Sequence, residues 1–463
     1  MHTRARLVYK RSFTTLVSKP ILQQLRSKLS VFEPNEIQRK AVSAALEGLD
    51  VLTVAQTGSG KTLCFMLPII DRLLYSGHEI SLVLAPTREL ALQHATIAET
   101  LLSVPSCGHR IASTPHVSLL LEGASNDDIV AAARFASATL IIAQPGPAVA
   151  FLKRAELEAH RVRTVAIDEA DAIFCGGPYE EAPSTDGATL LGALANLTTS
   201  AETSQHSASE SSPARRLQYI LTTAHLSRAH DLVLSACFPS ATRVEQRAAN
   251  GQKAGTLAPS LRQVFHYSPG SKKDAKLLAV LARAAQDAWL REGSVLIFTR
   301  SPASAERLRA LLDERWQSGC EPGIPCAPLI LHENMDDASR QCSLQGLREA
   351  HLNGGAAKLL IATGMAARGL DVASLRHVVL YDMPDDVAGY IHSAGRTARK
   401  GNGGLVSCLV ESQAQAQRYR ELHALTSAPR LTFAKSDDDG SRTDEEAEAG
   451  AGLSQELKAF LRI

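Results

Sequence analysis

Short apolar runs that do not alternate with polar residues set the strongest constraint on this chain. "DVLTVA" (50–55), "SLVLA" (81–85), "ATLIIA" (138–143), "RTVAI" (163–167) and "QYILT" (218–222) are each bounded by polar residues. A strand with one wet face alternates; a continuous β-branched run suits a strand covered on both faces of a parallel sheet. Stretches with helical spacing lie between them, such as "GKTLCFMLPIIDRLL" and "TRELALQHATIAETLL". Strand–helix–strand order predicts an α/β fold. The pattern restarts after residue 260 with "RQVFHY", "SVLIFT" (294–299), "PLILH" (328–332), "KLLIAT" (358–363) and "HVVLY" (377–381). Two parallel-sheet α/β domains in tandem are therefore expected, over residues 13–246 and 261–430, joined by the polar stretch "RAANGQKAGTLAPS" at 247–260. The Ser/Thr-rich segment at 198–216 reads as a disordered loop inserted in the first domain. Residues 431–463 read as an acidic, solvated tail.

Composition narrows the class further. The chain has 463 residues and a net charge of +1, so its overall charge points to neither nucleic acid nor membrane. No apolar run reaches the ~18 residues of a membrane span. Eight scattered cysteines without a CxxC pair suit neither a zinc site nor a disulfide framework, and imply reduced thiols inside the cell. No acid precedes Glu33, whereas Arg4, Arg6, Lys10 and Arg11 do. Residues 1–12 thus read either as a mitochondrial presequence or as a plain basic terminus.

Two motifs carry chemistry on their own terms. "AQTGSGKT" (55–62) joins an expected strand to an expected helix, where a phosphate loop must sit. Backbone N–H groups of Thr57, Gly58, Ser59 and Gly60 turn inward around a phosphate, Lys61 reaches its terminal groups, and the Thr62 hydroxyl holds Mg²⁺. "VAIDEAD" (165–171) ends another expected strand with three carboxylates. Triphosphate hydrolysis needs an acid near Mg²⁺ and a base beside the attacking water. Asp168 suits the first role, as a metal-holding group with Thr62, and Glu169 the second.

The phosphate loop, "PTREL" (86–90), "DEAD" (168–171) and "HSAGRTAR" (392–399), in this order over two α/β domains, resemble the DEAD-box RNA helicases. "VLIFTRS" (295–301) and "LIATGMAARGLD" (360–371) match further motifs of that family. The resemblance implies two RecA-like domains joined by a flexible linker, and an ATP hydrolase that uses ATP and Mg²⁺ to unwind or remodel RNA. It places Gln38 on the glutamine that reads adenine and Asp371 on the ribose. Arg396 and Arg399 would reach across the interdomain cleft to the γ-phosphate as arginine fingers supplied in cis. Arg88, Gly146, Arg340 and Thr363 would contact RNA, with residue types suited to phosphate and sugar and hence little sequence specificity. Asp171, Thr223, His225 and His392 fall on positions that couple the acids to domain closure. The chain would work as a monomer or within a ribonucleoprotein, away from membranes.

Departures from the family pattern are numerous. Its Ser-Ala-Thr motif is "TAH" (223–225), in which His225 could bond an acid such as Asp171. Its "TPGR" is "QPGP" (144–147), losing an arginine to Pro147. Ser393 and Gly364 replace an arginine and an aspartate, the glycine pair that contacts RNA becomes Gly123 and Ala124, and the usual aromatic before Gln38 is Val31, with Phe32 adjacent. Residues expected to perform hydrolysis survive, while substitutions gather on RNA contacts and coupling. The expectation is an ATPase with weak or specialised unwinding, or an RNA-binding factor that clamps with ATP and scarcely hydrolyses it. A mitochondrial presequence would place the work in mitochondrial ribosome assembly or RNA metabolism in the matrix; the alternative is nuclear or nucleolar.

Overall fold

The computed structural model describes residues 12–75, 78–103, 115–133, 138–154, 161–175, 184–203, 217–224, 226, 228–246, 257–258, 260–268, 270–319, 326–352, 357–364, 366–367, 375–384, 387–399, 402–412, 415 and 431–433. The chain divides into two compact units at residues 253 and 254. Each holds a sheet of seven strands among the described residues, and every pairing is parallel. The expected α/β class with two parallel sheets is what the chain adopts.

In the first unit the strands are β1 (Val51–Val54), β2 (Ile80–Leu84), β3 (His116–Leu120), β4 (Thr139–Ala143), β5 (Val162–Ile167), β6 (Gln218–Thr223) and β7 (Thr242–Glu245). Their order across the sheet is β3-β4-β2-β5-β6-β1-β7. Alternate residues of one strand enter different cores. Val51, Val83, Leu140, Ile142 and Ala166 pack in one hydrophobic cluster; Leu52, Leu82, Leu84, Ile141, Val165 and Ile167 pack in another. Burial of both pleat faces is why these runs are apolar without alternation. Buried Gln218, at the start of β6, donates through Nε2 to the carbonyls of Ala45 (2.8 Å) and Leu49 (2.7 Å). It thereby ties the start of β6 to the end of the helix Glu36–Leu46 and to the turn that follows it.

The second unit contains β8 (Leu261–Tyr267), β9 (Ser294–Thr299), β10 (Leu329–Leu331), β11 (Leu359–Thr363), β12 (Leu375–Leu380), β13 (Gly404–Val410) and β14 (Leu431–Phe433). Their order is β10-β11-β9-β12-β13-β8-β14. Beyond the carboxyl ends of the central strands lies a charged cluster. Buried Lys273 donates to Asp382 (2.6 Å) and to Glu411, and its ammonium stands 4.3 Å from the centre of the Tyr381 ring. Asp382 also accepts from the Arg300 backbone N–H (2.8 Å). Asp274 accepts a forked pair from Arg307 (2.8 and 3.1 Å) and the Tyr381 hydroxyl (2.6 Å). These bonds tie the ends of β9, β12 and β13 to the helices Lys273–Gln286 and Pro302–Gln317.

Two expectations need correction. The helix Thr185–Thr203 continues into the Ser/Thr-rich segment, whose residues 198–203 are thus helical; residues 204–216 lie outside the described residues. β14 falls within the expected tail and pairs with β8; the sequence places the short apolar stretch "LTF" ahead of the acidic run. Residues 1–11, the rest of the tail and residues 247–256 of the expected linker lie outside the described residues. No helix among the described residues is long and apolar enough to cross a membrane.

Candidate active site

Parallel order gathers the first unit's motifs at the carboxyl edge of its sheet. The phosphate loop follows β1, the DEAD turn follows β5, and Thr223 ends β6. The order β5-β6-β1 makes these three neighbours. "PTREL", Gly123 and Gly146 follow β2, β3 and β4, which form the other half. Adjacent strand ends thus separate the hydrolytic residues from those the family pattern assigns to RNA.

The phosphate loop has the backbone its glycines permit. Gly58 (φ +77°) and Gly60 (φ +78°) are left-handed, a region that costs other residues ~1 kcal/mol or more. A Cβ on Gly60 would also lie 2.5 Å from the Gln38 side-chain nitrogen. Lys61 opens the helix Lys61–Tyr75, and its ammonium donates to the Ala55 carbonyl at 2.7 Å. Desolvation of this partly covered ammonium lowers its pKa, while Asp168, Glu169 and Asp171 oppose that shift. Gln38 is buried and locked in place. Its backbone N–H donates to Asn35 Oδ1 (2.9 Å), its Oε1 accepts from the Asn35 N–H (3.1 Å), and its Nε2 donates to the Gly60 carbonyl (3.2 Å). This reciprocal cap fastens the helix Glu36–Leu46 to the loop.

Asp168, Glu169 and Asp171 are all buried. Asp168 Oδ1 accepts from the Thr222 hydroxyl and from the Glu169 N–H (3.0 Å); Oδ2 lies 3.1 Å from His94 Nε2. Burial opposes ionisation of Asp168. The His94 imidazole, the Thr222 hydroxyl and the Lys61 ammonium outweigh it and hold the carboxyl below its ordinary range. An ionised carboxylate beside the Thr62 hydroxyl's helix is the hard oxygen set that Mg²⁺ prefers. Glu169 takes left-handed backbone (φ 49°, ψ 52°), which swings the chain from β5 into the next helix, Ala170–Phe174. Thr223 donates to Asp171 Oδ1 at 2.7 Å. The hydroxyl kept in "TAH" therefore binds the acid that His225 was expected to reach; His225 lies outside the described residues. Thr222 and His94 were missed by motif reading. Both sit inside stretches legible only as strand and helix.

In the second unit, Thr363 ends β11, and Arg340 lies beyond the neighbouring strand β10. Arg340 donates to the His332 carbonyl (3.0 Å), and Thr363 to Glu333 (2.7 Å). His392 lies buried on the helix Val387–Ala394 that follows β12. Arg396 and Arg399 extend that helix's end, each pinned through Nε to a carbonyl four residues back: His392 (2.8 Å) and Gly395 (3.0 Å). Asp371 lies outside the described residues.

A phosphate loop, an acid cluster on the next-but-one strand and a second parallel-sheet unit define a nucleoside-triphosphatase of tandem RecA-like architecture. The DEAD/DEAH box helicase family model matches residues 35–181, and the helicase conserved C-terminal domain matches residues 273–401. The ATP-dependent rRNA helicase rrp3 of Aspergillus terreus is 31% identical over 83% of this chain and 73% of its own length. RRP3 of Saccharomyces cerevisiae is 32% identical, over 86% and 69%. The probable ATP-dependent RNA helicase ddx27 of Dictyostelium discoideum is 30% identical over 84% of this chain, which spans only 43% of that relative. The structure of S. cerevisiae Dbp5 bound to RNA and ADP BeF₃ shares the fold, with a TM-score of 0.70 at 20% identity, covering 92% of this chain and 96% of that one. This chain belongs to the DEAD-box family of ATP-dependent RNA helicases.

Proposed function

We propose that the chain hydrolyses ATP with Mg²⁺ when RNA is bound, and that the cycle remodels ribosomal RNA or its protein complexes. The observation that carries this is the grouping of Lys61, Asp168, Glu169 and Thr223 at the ends of three adjacent strands. Phosphoryl transfer needs positioning and charge neutralisation rather than covalent chemistry, and these residues supply both. Lys61 binds the terminal phosphates, Glu169 orients and deprotonates the attacking water, and Thr62 with Asp168 holds Mg²⁺. The bound Mg²⁺ contributes charge neutralisation at the phosphates. Gln38 reads the adenine edge, since an amide both donates and accepts. Phe32, 61% exposed, is available to stack on that base. Asp371 meets the ribose, and Arg396 and Arg399 neutralise the transferring phosphoryl. Arg88, Gly146, Arg340 and Thr363 contact the RNA backbone, so discrimination against DNA comes from 2′-hydroxyls.

Support for a ribosomal substrate comes from the rRNA helicase names of the relatives. Pro147, Ser393 and Gly364 favour an intact ATPase with weak or specialised unwinding. Steady-state ATP hydrolysis by the full chain, with and without RNA, tests the reading. RNA should stimulate turnover, and Glu169→Gln or Arg396→Ala should lower it by on the order of 10³. Absence of turnover at saturating RNA, with cellular function preserved in Glu169→Gln, would favour an ATP-dependent clamp instead. Compartment is decided by imaging the full chain and one lacking residues 1–12. Loss of mitochondrial signal on truncation places the work in the matrix; nucleolar signal from both places it in the nucleus.

A further inference from the structure

We propose that His94 is a positioning residue for the Mg²⁺ site, fixing the plane of the Asp168 carboxylate from the helix Arg88–Leu102. This rests on the reading of Asp168 as the acid that holds the metal. His94 lies in the second turn of that helix and is 1% exposed. Its ring stands edge-on to Phe65 of the helix after the phosphate loop, with centroids 5.3 Å apart and planes at 86°. That contact leaves Nε2 facing Asp168 Oδ2 at 3.1 Å, close enough for an ion pair though not aligned as a hydrogen bond. Nδ1 has no hydrogen-bond partner among the described residues. A buried imidazole is costly without polar contact, and this carboxylate supplies it.

The consequence for Asp168 is geometric. Oδ1 is held by the Thr222 hydroxyl of β6 and the Glu169 N–H of the DEAD turn. Among the described residues, Oδ2 is met by His94 of the helix Arg88–Leu102. Without His94 the carboxylate is held on one oxygen and can tilt about it. Mg²⁺ demands near-ideal octahedral geometry, so a tilted ligand costs affinity. Groups that orient a metal-binding side chain typically change metal affinity 10–100-fold. His94 lies outside every motif that marks the family in this sequence, and its position follows from the packing of two helices against the end of β5.

The experiment is a Mg²⁺ titration of the full-length protein with a fluorescent mant-labelled β,γ-imido ATP analogue, which is not hydrolysed. His94→Leu keeps volume and removes the ring nitrogen that faces Asp168; His94→Gln returns a polar nitrogen at similar reach. His94→Leu should raise the Mg²⁺ concentration for half-maximal binding about tenfold or more. His94→Gln should stay within about threefold of wild type, and affinity in EDTA should be the same in all three proteins. An unshifted Mg²⁺ requirement in His94→Leu overturns the proposal. Should His94→Leu lose EDTA binding through misfolding, His94→Gln alone decides: a requirement near that of wild type supports the proposal, and a tenfold shift overturns it. Wild-type binding that ignores Mg²⁺ would instead bring down the reading of Asp168, and this inference with it.

Discussion

Ala398 stands between Arg396 and Arg399 with φ +55°, where its Cβ crowds the neighbouring carbonyl. Such a conformation costs roughly 1–2 kcal/mol for a residue with a side chain. Ala398→Gly should release that strain, less the entropy that glycine adds to the unfolded chain. The expected outcome is a second unit more stable by up to about 1 kcal/mol, read as a higher urea midpoint. A lower midpoint would mean that the buried methyl contributes packing beyond its strain. Thr223 makes the opposite case. Its hydroxyl serves buried Asp171, so Thr223→Val keeps shape and leaves a carboxylate short of a donor. That should cost about 1–3 kcal/mol in urea unfolding of the first unit.

At the scale of elements, most of the strands that could be read from sequence have cover on both faces; the edge strand β10, read as "PLILH", and the partly exposed β8, read as "RQVFHY", are the exceptions. β2 and β4 are buried at every position, and their runs are apolar except for Ser81 and Thr139, near or at the start of each strand. β3, β7, β10 and β14 are the edges of the two sheets. "HVSLL" is only partly buried over four of its five residues, and "TRVE" is exposed at its first two. With a neighbour on one side and solvent nearby, such strands carry polar residues and lose the apolar signature. β13 escaped for another reason: Ser407 interrupts its run, and its hydroxyl meets buried His377 at 2.9 Å. Motif residues were legible because their order is fixed, whereas His94 and Thr222 depend on how a helix and a strand meet in space. The Lys273 cluster was likewise invisible, since Lys273, Asp382 and Glu411 come from distant stretches. Lys273→Met should leave Asp382 and Glu411 facing each other without a cation. Both keep some contact with water, so the expected loss is about 2 kcal/mol rather than that of a fully buried pair. Denaturant unfolding of the variant checks it.

For the whole molecule, acid should act through the second unit. Burial drives the His377 pKa down from the ordinary 6.5 to about 3, and neighbouring His266 adds to the shift. Above pH 6.5 the ring is neutral folded or unfolded, and its stability contribution is fully present. As pH falls below that value the unfolded chain takes up a proton that the folded chain refuses. Stability should drop by roughly 1.4 kcal/mol per pH unit until about pH 3. Urea midpoints at about pH 7 and about pH 5 measure the slope, and His377→Gln should flatten it. The strand orders also bear on how the chain is made. Among the described residues, β1 pairs only with β6 and β7, and β8 only with β13 and β14. On the ribosome, the strand that leads into the phosphate loop emerges long before either neighbour, and so does the opening strand of the second sheet. Each half of the protein must shelter its earliest strand until its last ones are translated, an interval in which a nascent-chain chaperone would find an unpaired apolar edge to hold.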